Sequence, residues 1–230
     1  MIKAILWDID GTLLNFLAAE KAAIRKCFEI CGLGECTDEM LAAYSKINVR
    51  YWQSLERGEM TKAEILVGRF REFFGEYGLD VSAAERFNSE YQVRLGDTIV
   101  FEPHAQEILR KYQGRILQCA VTNGTKIAQE RKLANSGMDE IFDYVFISEE
   151  IGAEKPSLDF FKPIFELLEV AGIGRDEVLI VGDSLTSDIK GGMNAGFKIC
   201  WYNPGGKPLG EGYRADYIIS DLAQVEKITQ

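Results

Sequence analysis

Short apolar runs separated by amphipathic stretches account for most of the chain, and their order predicts a mixed α/β fold. The first apolar run covers residues 3–8. After Pro103, further runs alternate with stretches of helical periodicity, at residues 115–121, 144–147, 178–181, 198–201 and 216–219. Runs of this length, bounded by turn residues, are typical of buried strands. Since strands that alternate with helices form parallel sheets covered on both faces, we predict a mainly parallel sheet flanked by helices.

Residues 16–96 have a different pattern, because their apolar residues recur at helical spacing instead of in runs. The groups with this spacing are Leu17, Ile24, Phe28 and Cys31; Leu41, Tyr44, Tyr51 and Leu55; Leu66, Phe70, Phe73, Phe74 and Tyr77; and Phe87, Tyr91 and Leu95. They predict about four amphipathic helices. The first strand belongs with the later strands, so the helical stretch is predicted to be an insertion. We therefore predict a core domain of residues 1–15 and 99–230 and an inserted helical domain of residues 16–98.

Composition narrows the classes of function that this fold could serve. The chain has 230 residues, 47% of them hydrophobic, and a formal net charge of −10. A chain this acidic lacks the clustered Lys and Arg that bind a nucleic-acid backbone, so we predict no nucleic-acid partner. Without a signal peptide or a membrane-spanning run, we expect a cytoplasmic protein with no membrane partner. Its five cysteines are expected to be reduced thiols, and a metal or redox site at Cys27 and Cys31 is the alternative.

Polar residues follow the predicted strands at the edge where an open α/β sheet binds its ligands. They form the stretches "DIDGT" from Asp8 to Thr12, "TNG" from Thr122 to Gly124, "EKP" around Lys155, and "GDSLTSD" from Gly182 to Asp188. Each stretch alone is also typical of a turn, a helix start or a surface lysine. Asp8 and Asp10 point the same way along a strand, so their charges require a cation, a shared proton or solvent.

These four stretches, in this order, resemble the signatures of the haloacid dehalogenase (HAD) superfamily of phosphohydrolases. Those signatures are DxDGT, a Ser or Thr that ends the second core strand, a Lys before a helix, and GDS followed by a further Asp. The resemblance extends over the whole chain. It implies a Rossmann-like parallel sheet core with an inserted helical cap, and hydrolysis of phosphomonoesters through an aspartyl-phosphate intermediate.

The resemblance also implies a role for each catalytic residue. Asp8 would be the nucleophile that attacks phosphorus, a task that suits a carboxylate because it is already deprotonated at neutral pH. Asp10 would protonate the leaving oxygen and then activate water. Thr122, Asn123 and Lys155 would bind the phosphate, and Lys155 would also bring positive charge to Asp8.

A magnesium site is implied by the same resemblance. Mg²⁺ would be held by the Asp8 side chain, the Asp10 backbone carbonyl and Asp183, with Thr12 and Asp188 supporting the site. Oxygen ligands of this kind are those that Mg²⁺ prefers. The charge of Mg²⁺, together with that of Lys155, would explain how Asp8 and Asp10 stand side by side.

Finer similarities suggest the substrate. The stretches "WDIDGTLLNF", "GRF", "VTNGT", "ISEEIGAEKPSLDFF", "VGDSLTSDIKGGMNAG" and "CWYNP" are similar to bacterial nucleotidases that hydrolyse pyrimidine and noncanonical nucleoside 5′-monophosphates. We therefore expect a small phosphomonoester, a nucleoside monophosphate, as the binding partner of a monomer or small homo-oligomer. A phosphoglycolate or sugar-phosphate phosphatase, a phosphomutase, and a non-catalytic binding protein are the alternatives. His104 is predicted to be structural, and Tyr51 and Trp52 are candidates for facing the substrate.

Overall fold

A single parallel sheet organises the protein, as a computed structural model of the chain shows. The structure describes residues 1–229, and Gln230, the last residue of the predicted core domain, lies outside them. In the described residues the sheet has six strands in the order β3-β2-β1-β4-β5-β6. The strands are β1 (Ala4–Trp7), β2 (Leu117–Thr122), β3 (Tyr144–Ile147), β4 (Val178–Gly182), β5 (Lys198–Tyr202) and β6 (Tyr217–Ile219). The predicted parallel α/β fold is confirmed.

Helices connect the strands and make up the insertion. Between β1 and β2 lie α1 (Phe16–Cys31), α2 (Asp38–Glu56), α3 (Lys62–Glu76), α4 (Ala84–Arg94) and α5 (Ala105–Tyr112). After β2 come α6 (Lys126–Ser136), α7 (Ser148–Ile151), α8 (Leu158–Ala171), α9 (Lys190–Ala195) and α10 (Glu226–Thr229). The helical segment between β4 and β5 begins as a π-helical turn, Leu185–Ile189, and continues as α9.

Strand β1 lies at the centre of the sheet, and both of its faces are covered. Trp7 pairs with Ala120 of β2 on one side and with Val181 of β4 on the other. Because side chains alternate along a strand, Ile5 and Trp7 pack into one apolar cluster and Ala4 and Leu6 into another. A strand buried on both faces is continuously apolar, which is why residues 3–8 read as one short run.

Helices α1 to α4 have an apolar interior of their own, rich in aromatic rings. The rings of Tyr44 and Phe70, for example, are stacked with centroids 5.0 Å apart. The assignment of Leu17 to the apolar face of its helix is wrong. Leu17 is 54% exposed, whereas Glu20, one turn later, is buried. Helical spacing extended the buried face of α1 into its first turn, where Asn15 caps the helix by accepting from the Ala18 N–H at 2.9 Å.

The two chain segments that enter and leave the helical insertion run side by side. The Asn15 N–H donates to the Val100 carbonyl at 2.8 Å, and the Glu102 N–H donates to the Leu13 carbonyl at 2.9 Å. The insertion is therefore attached to the core close to the end of β1, where Asp8 and Asp10 lie. Within residues 1–229, no helix is long and apolar enough to cross a membrane.

Candidate active site

The predicted site residues meet at the carboxyl ends of the central strands, around a cavity of about 550 Å³ between the sheet edge and helix α2. Asp8 directly follows β1, Thr122 ends β2, and Asp183 directly follows β4. All three line the cavity. Parallel strands bring their carboxyl ends to one edge, so residues more than a hundred positions apart become neighbours.

Lys155 forms the buried floor of the site. Its ammonium group donates to Asp8 Oδ1 at 2.8 Å, to Asp188 Oδ1 at 2.7 Å and to the Val121 carbonyl at 2.7 Å. These three contacts use all three ammonium hydrogens. Burial alone would lower the pKa of Lys155, but the negative charges of Asp188 and Asp8 outweigh it, and the pKa lies above its ordinary value. Lys155 is therefore a permanent positive charge beside Asp8.

Three carboxylates crowd together beside this lysine. Oxygens of Asp8, Asp183 and Asp188 lie within 4.8 Å of one another. Burial, followed by the charge of Asp188, raises the pKa of Asp8 to about 7 even though Lys155 opposes the rise. Burial and the charge of Asp8 likewise raise the pKa of Asp183 well above its usual range. Lys155 does not offset three negative charges, and an all-oxygen donor set of this kind could hold a hard divalent cation.

Two glycines make room for these carboxylates. Gly11 has a φ of +90°, and a Cβ at this position would lie 2.8 Å from Asp183 Oδ2. A Cβ on Gly182 would collide with the carboxyl group of Asp188. The glycines of "DIDGT" and "GDSLTSD" therefore serve the packing of Asp183 and Asp188, and Thr12 completes the arrangement by donating to Asp8 Oδ2 at 3.1 Å.

The side chain of Asp10 lies apart from that acidic group and contacts helix α6. Lys132 Nζ donates to Asp10 Oδ1 at 2.5 Å, and Gln129 Nε2 donates to Asp10 Oδ2 at 2.7 Å. Gln129 and Lys132 were not among the residues predicted from the sequence. The available signal was two polar residues three positions apart on the helix that follows "TNG", a spacing that is equally typical of an exposed helix face.

Thr122 and Asn123 occupy different positions in the site. Thr122 lines the cavity, and its hydroxyl oxygen accepts from the Gly124 N–H at 3.1 Å. The Asn123 side chain also lines the cavity, but it is hydrogen-bonded to the backbone of Lys155. It donates to the Lys155 carbonyl at 2.9 Å and accepts from the Lys155 N–H at 2.8 Å. Asn123 therefore holds the loop that carries Lys155, and phosphate binding by Asn123 stays a prediction.

Helix α2 forms the wall of the cavity opposite the sheet edge. Its residue Trp52 lines the cavity, whereas the Tyr51 ring packs at Gly68 of helix α3. Glu56, the last residue of α2, also lines the cavity and accepts a hydrogen bond from the Thr186 hydroxyl. Burial raises the pKa of Glu56 to about 7 against the opposing effect of that hydrogen bond. Helix α2 thus adds an aromatic ring, that of Trp52, and a further carboxylate, that of Glu56, to the site.

His104, which is predicted to be structural, and the pair Cys27 and Cys31 lie outside the site. His104 precedes α5, and its Nδ1 hydrogen-bonds Asp221 Oδ1 at 2.7 Å. Among the described residues, the acidic group of Asp8, Asp183 and Asp188 is the one cluster of potential metal ligands, and it includes no cysteine.

The chain matches the family of haloacid dehalogenase-like hydrolases over residues 5–202. It belongs to this family. The haloacid dehalogenase-like hydrolase YfnB of Bacillus subtilis (strain 168) is 35% identical over 206 residues, which cover 90% of this chain and 86% of YfnB. The pyrimidine 5′-nucleotidase PynA of Streptococcus pneumoniae (strain ATCC BAA-255 / R6) is 34% identical over 206 residues, covering 88% of this chain and 84% of PynA.

A solved haloacid dehalogenase-like structure extends the likeness to three dimensions. The crystal structure of YfnB bound to magnesium matches with a TM-score of 0.93 at 33% identity, covering 100% of this chain and 99% of that one. The predicted superfamily and the predicted class of enzyme, a phosphoric monoester hydrolase, are confirmed. The roles of the individual site residues remain predictions.

Proposed function

We propose that the protein is a Mg²⁺-dependent phosphatase that hydrolyses nucleoside 5′-monophosphates through an aspartyl-phosphate on Asp8. The observation that carries this proposal is the joint placement of Asp8, Asp183 and Asp188 at one end of the cavity, with Lys155 buried behind them and paired with Asp8. A buried carboxylate held by a lysine, beside further carboxylates, can act as a nucleophile toward a bound phosphate.

The first half-reaction transfers the phosphoryl group to Asp8. Lys155 holds Asp8 Oδ1 and Thr12 donates to Oδ2, so the carboxylate has a fixed orientation. A carboxylate oxygen of Asp8 attacks phosphorus, and the bond to the alcohol oxygen breaks as Asp10 gives that oxygen a proton. Positioning and charge neutralisation supply most of the catalysis in phosphoryl transfer, and Lys155 supplies both.

The second half-reaction releases phosphate. Asp10, now deprotonated, takes a proton from a water molecule, whose oxygen attacks phosphorus and breaks the bond to Asp8. The products are inorganic phosphate, the free Asp8 carboxylate and a reprotonated Asp10. One residue therefore acts first as acid and then as base, which requires that its carboxyl group reach both the leaving oxygen and the attacking water.

Asp8, Asp183 and the Asp10 backbone carbonyl would hold Mg²⁺, and Asp188 lies close enough to support them. The excess of negative charge over Lys155 is the observation that fits a divalent cation here. When bound, Mg²⁺ would neutralise charge on the phosphoryl oxygens and on the carboxylates around them. Its charge would also lower the pKa of Asp8 from about 7 and keep the nucleophile ionised.

The cavity favours a nucleoside as the leaving group. About 550 Å³ is in the range of pockets that hold drug-sized ligands, and Trp52 and Phe16 line it. An aromatic face can stack on a nucleobase. The Glu56 carboxylate can accept from a sugar hydroxyl but repels a leaving group with its own negative charge. That repulsion weighs against phosphoglycolate, and the similarity to PynA supports a pyrimidine nucleotide.

The test is phosphate release from a panel of nucleoside monophosphates, phosphoglycolate and sugar phosphates, with Mg²⁺, with a chelator, and with Asp8→Asn. Mg²⁺-dependent turnover of nucleoside monophosphates that Asp8→Asn abolishes supports the proposal. Turnover of phosphoglycolate or a sugar phosphate alone would replace the substrate and keep the chemistry. Absence of turnover, including that of an aryl phosphate, would refute the proposal in favour of a phosphomutase or a binding protein.

The cytoplasmic location and the monomeric or small homo-oligomeric state remain predictions from the sequence.

A further inference from the structure

Helix α6 presents two buried polar side chains to Asp10. Lys132 and Gln129 are each 1% exposed, and they lie three positions apart, so they share one side of the helix. A buried lysine is costly unless a negative charge accompanies it. The salt-bridge partner of Lys132 is Asp10, at 2.5 Å. The buried position of Lys132 is therefore tied to the charge of Asp10.

The turn before α6 contains a glycine, Gly124, that leaves room for the side chain of Gln129. A Cβ on Gly124, the last residue of "TNG", would collide with the Gln129 side chain, beginning at the Nε2 atom that donates to Asp10. The glycine therefore leaves the space through which Gln129 reaches Asp10. The Lys132 ammonium also lies over the ring of Phe16, 5.4 Å from its centroid.

The two donors take different oxygens of Asp10. Lys132 takes Oδ1 and Gln129 takes Oδ2, so the carboxyl group cannot rotate without losing one of them. Each carboxyl oxygen has two acceptor positions, so one position on each oxygen is left for a proton or for a substrate contact. Asp10 follows strand β1 in a loop, and the sheet itself does not restrain its side chain.

We propose that Lys132 and Gln129 are positioning residues that hold the Asp10 carboxyl group in the orientation from which it protonates the leaving oxygen. This inference rests on the proposed function, because it assumes that Asp10 is the general acid. Misplacement of a reacting group by about 1 Å can cost a reaction about a hundredfold in rate. Among the site acids Asp10 is the partner of both residues, since neither makes a hydrogen bond or an ion pair with Asp8, Asp183 or Asp188.

The dependence on the leaving group separates positioning from a merely structural role. An aryl phosphate has a leaving group that departs with little help from an acid, whereas the alcohol of a nucleoside monophosphate needs a proton. Loss of a well-placed acid costs about 100- to 10,000-fold in such reactions. We therefore expect Lys132→Met to lower kcat/KM for the best nucleoside monophosphate by about 30-fold or more, and that for p-nitrophenyl phosphate by less than about threefold.

Matched variants complete the experiment. Lys132→Arg keeps a charged donor and should recover most of the lost activity. Lys126→Met removes an exposed lysine from the same helix and should leave kcat/KM for both substrates unchanged. In the Asp10→Asn background, Lys132→Met should have no further effect, because the residue through which it acts is already disabled. Thermal unfolding checks that each variant folds, and if Lys132→Met does not, Gln129→Met has the same expected pattern and decides the outcome.

Equal losses on both substrates, no loss on either, or an undiminished effect in the Asp10→Asn background would overturn the inference. Failure of the proposed function has a different result. In that case the wild-type protein hydrolyses neither substrate, or Asp10→Asn leaves the nucleoside monophosphate reaction unchanged.

Discussion

Replacement of Glu56 by Gln is expected to stabilise the protein above pH 7 and not at pH 4. Glu56 lies at the end of α2 near Asp188 and Asp8, and the folded protein raises its pKa from 4.5 to about 7. An acid whose pKa is raised by folding destabilises the folded state when it ionises, since the unfolded chain then loses its proton first. The destabilisation is absent below about pH 4.5, grows from pH 4.5 to 7 and is complete above pH 7.

The size of the effect follows from the rise in pKa. Each pKa unit corresponds to about 1.4 kcal/mol, so a rise from 4.5 to about 7 sets an upper limit of about 3.5 kcal/mol. We expect about 1 to 2 kcal/mol in the experiment, because rearrangement around a charge relieves part of the cost. Gln keeps the shape of Glu and can still accept from the Thr186 hydroxyl.

The assay is urea unfolding of the wild type and Glu56→Gln at pH 4 and pH 8, with a chelator present. The free energy of unfolding should be similar at pH 4 and higher for the variant at pH 8. Glu59→Gln is the matched control, because Glu59 is exposed and paired with Arg57, which lowers its pKa, so this variant should show no gain at pH 8. A Glu56→Gln variant that is equally stable or less stable at pH 8 would refute the argument.

The same variant tests the proposed effect of Glu56 on specificity. If the carboxylate repels anionic leaving groups, Glu56→Gln at pH 8 should raise kcat/KM for phosphoglycolate relative to that for a nucleoside monophosphate by about fivefold or more, which corresponds to about 1 kcal/mol. An unchanged ratio between the two substrates would mean that Glu56 does not select by charge.

Three further predictions follow from the site. Asp8→Asn should lower turnover by about a thousandfold or more, equivalent to about 4 kcal/mol of barrier, and near-normal phosphate release by the variant would disprove the nucleophile. Gly182→Ala should cost about 1 to 3 kcal/mol of unfolding free energy and most of the activity, because its Cβ displaces Asp188 from Lys155; denaturation and steady-state kinetics measure the two losses. Trp52→Ala should raise KM for nucleoside monophosphates about tenfold through loss of base stacking, and an unaltered KM would exclude stacking. Inhibition by inorganic phosphate should stay the same in this variant.

Long-range packing explains what the sequence analysis missed. Asp10 is 119 positions from Gln129 and 122 from Lys132, and only the folding of α6 against the Asp10 loop brings them together. Glu56 enters the cavity because α2 lies across the sheet edge, where Thr186 meets it from 130 positions away. A periodic pattern gives the face of a helix that is buried, but not the element on which that face rests.

The parallel α/β fold, the helical insertion and the strand ends at which the acids and Lys155 meet could all be predicted from the amino-acid sequence. These features depend on local patterns: a strand buried on both faces must be continuously apolar, and polar residues after such a strand must lie at the sheet edge. Three features could not be predicted without the three-dimensional structure. Asn123 holds the Lys155 loop, Gln129 and Lys132 hydrogen-bond Asp10, and Trp52, not Tyr51, faces the cavity. Each of these depends on which side chains meet across distant elements, and hydrogen bonds and ion pairs act only over a few ångströms.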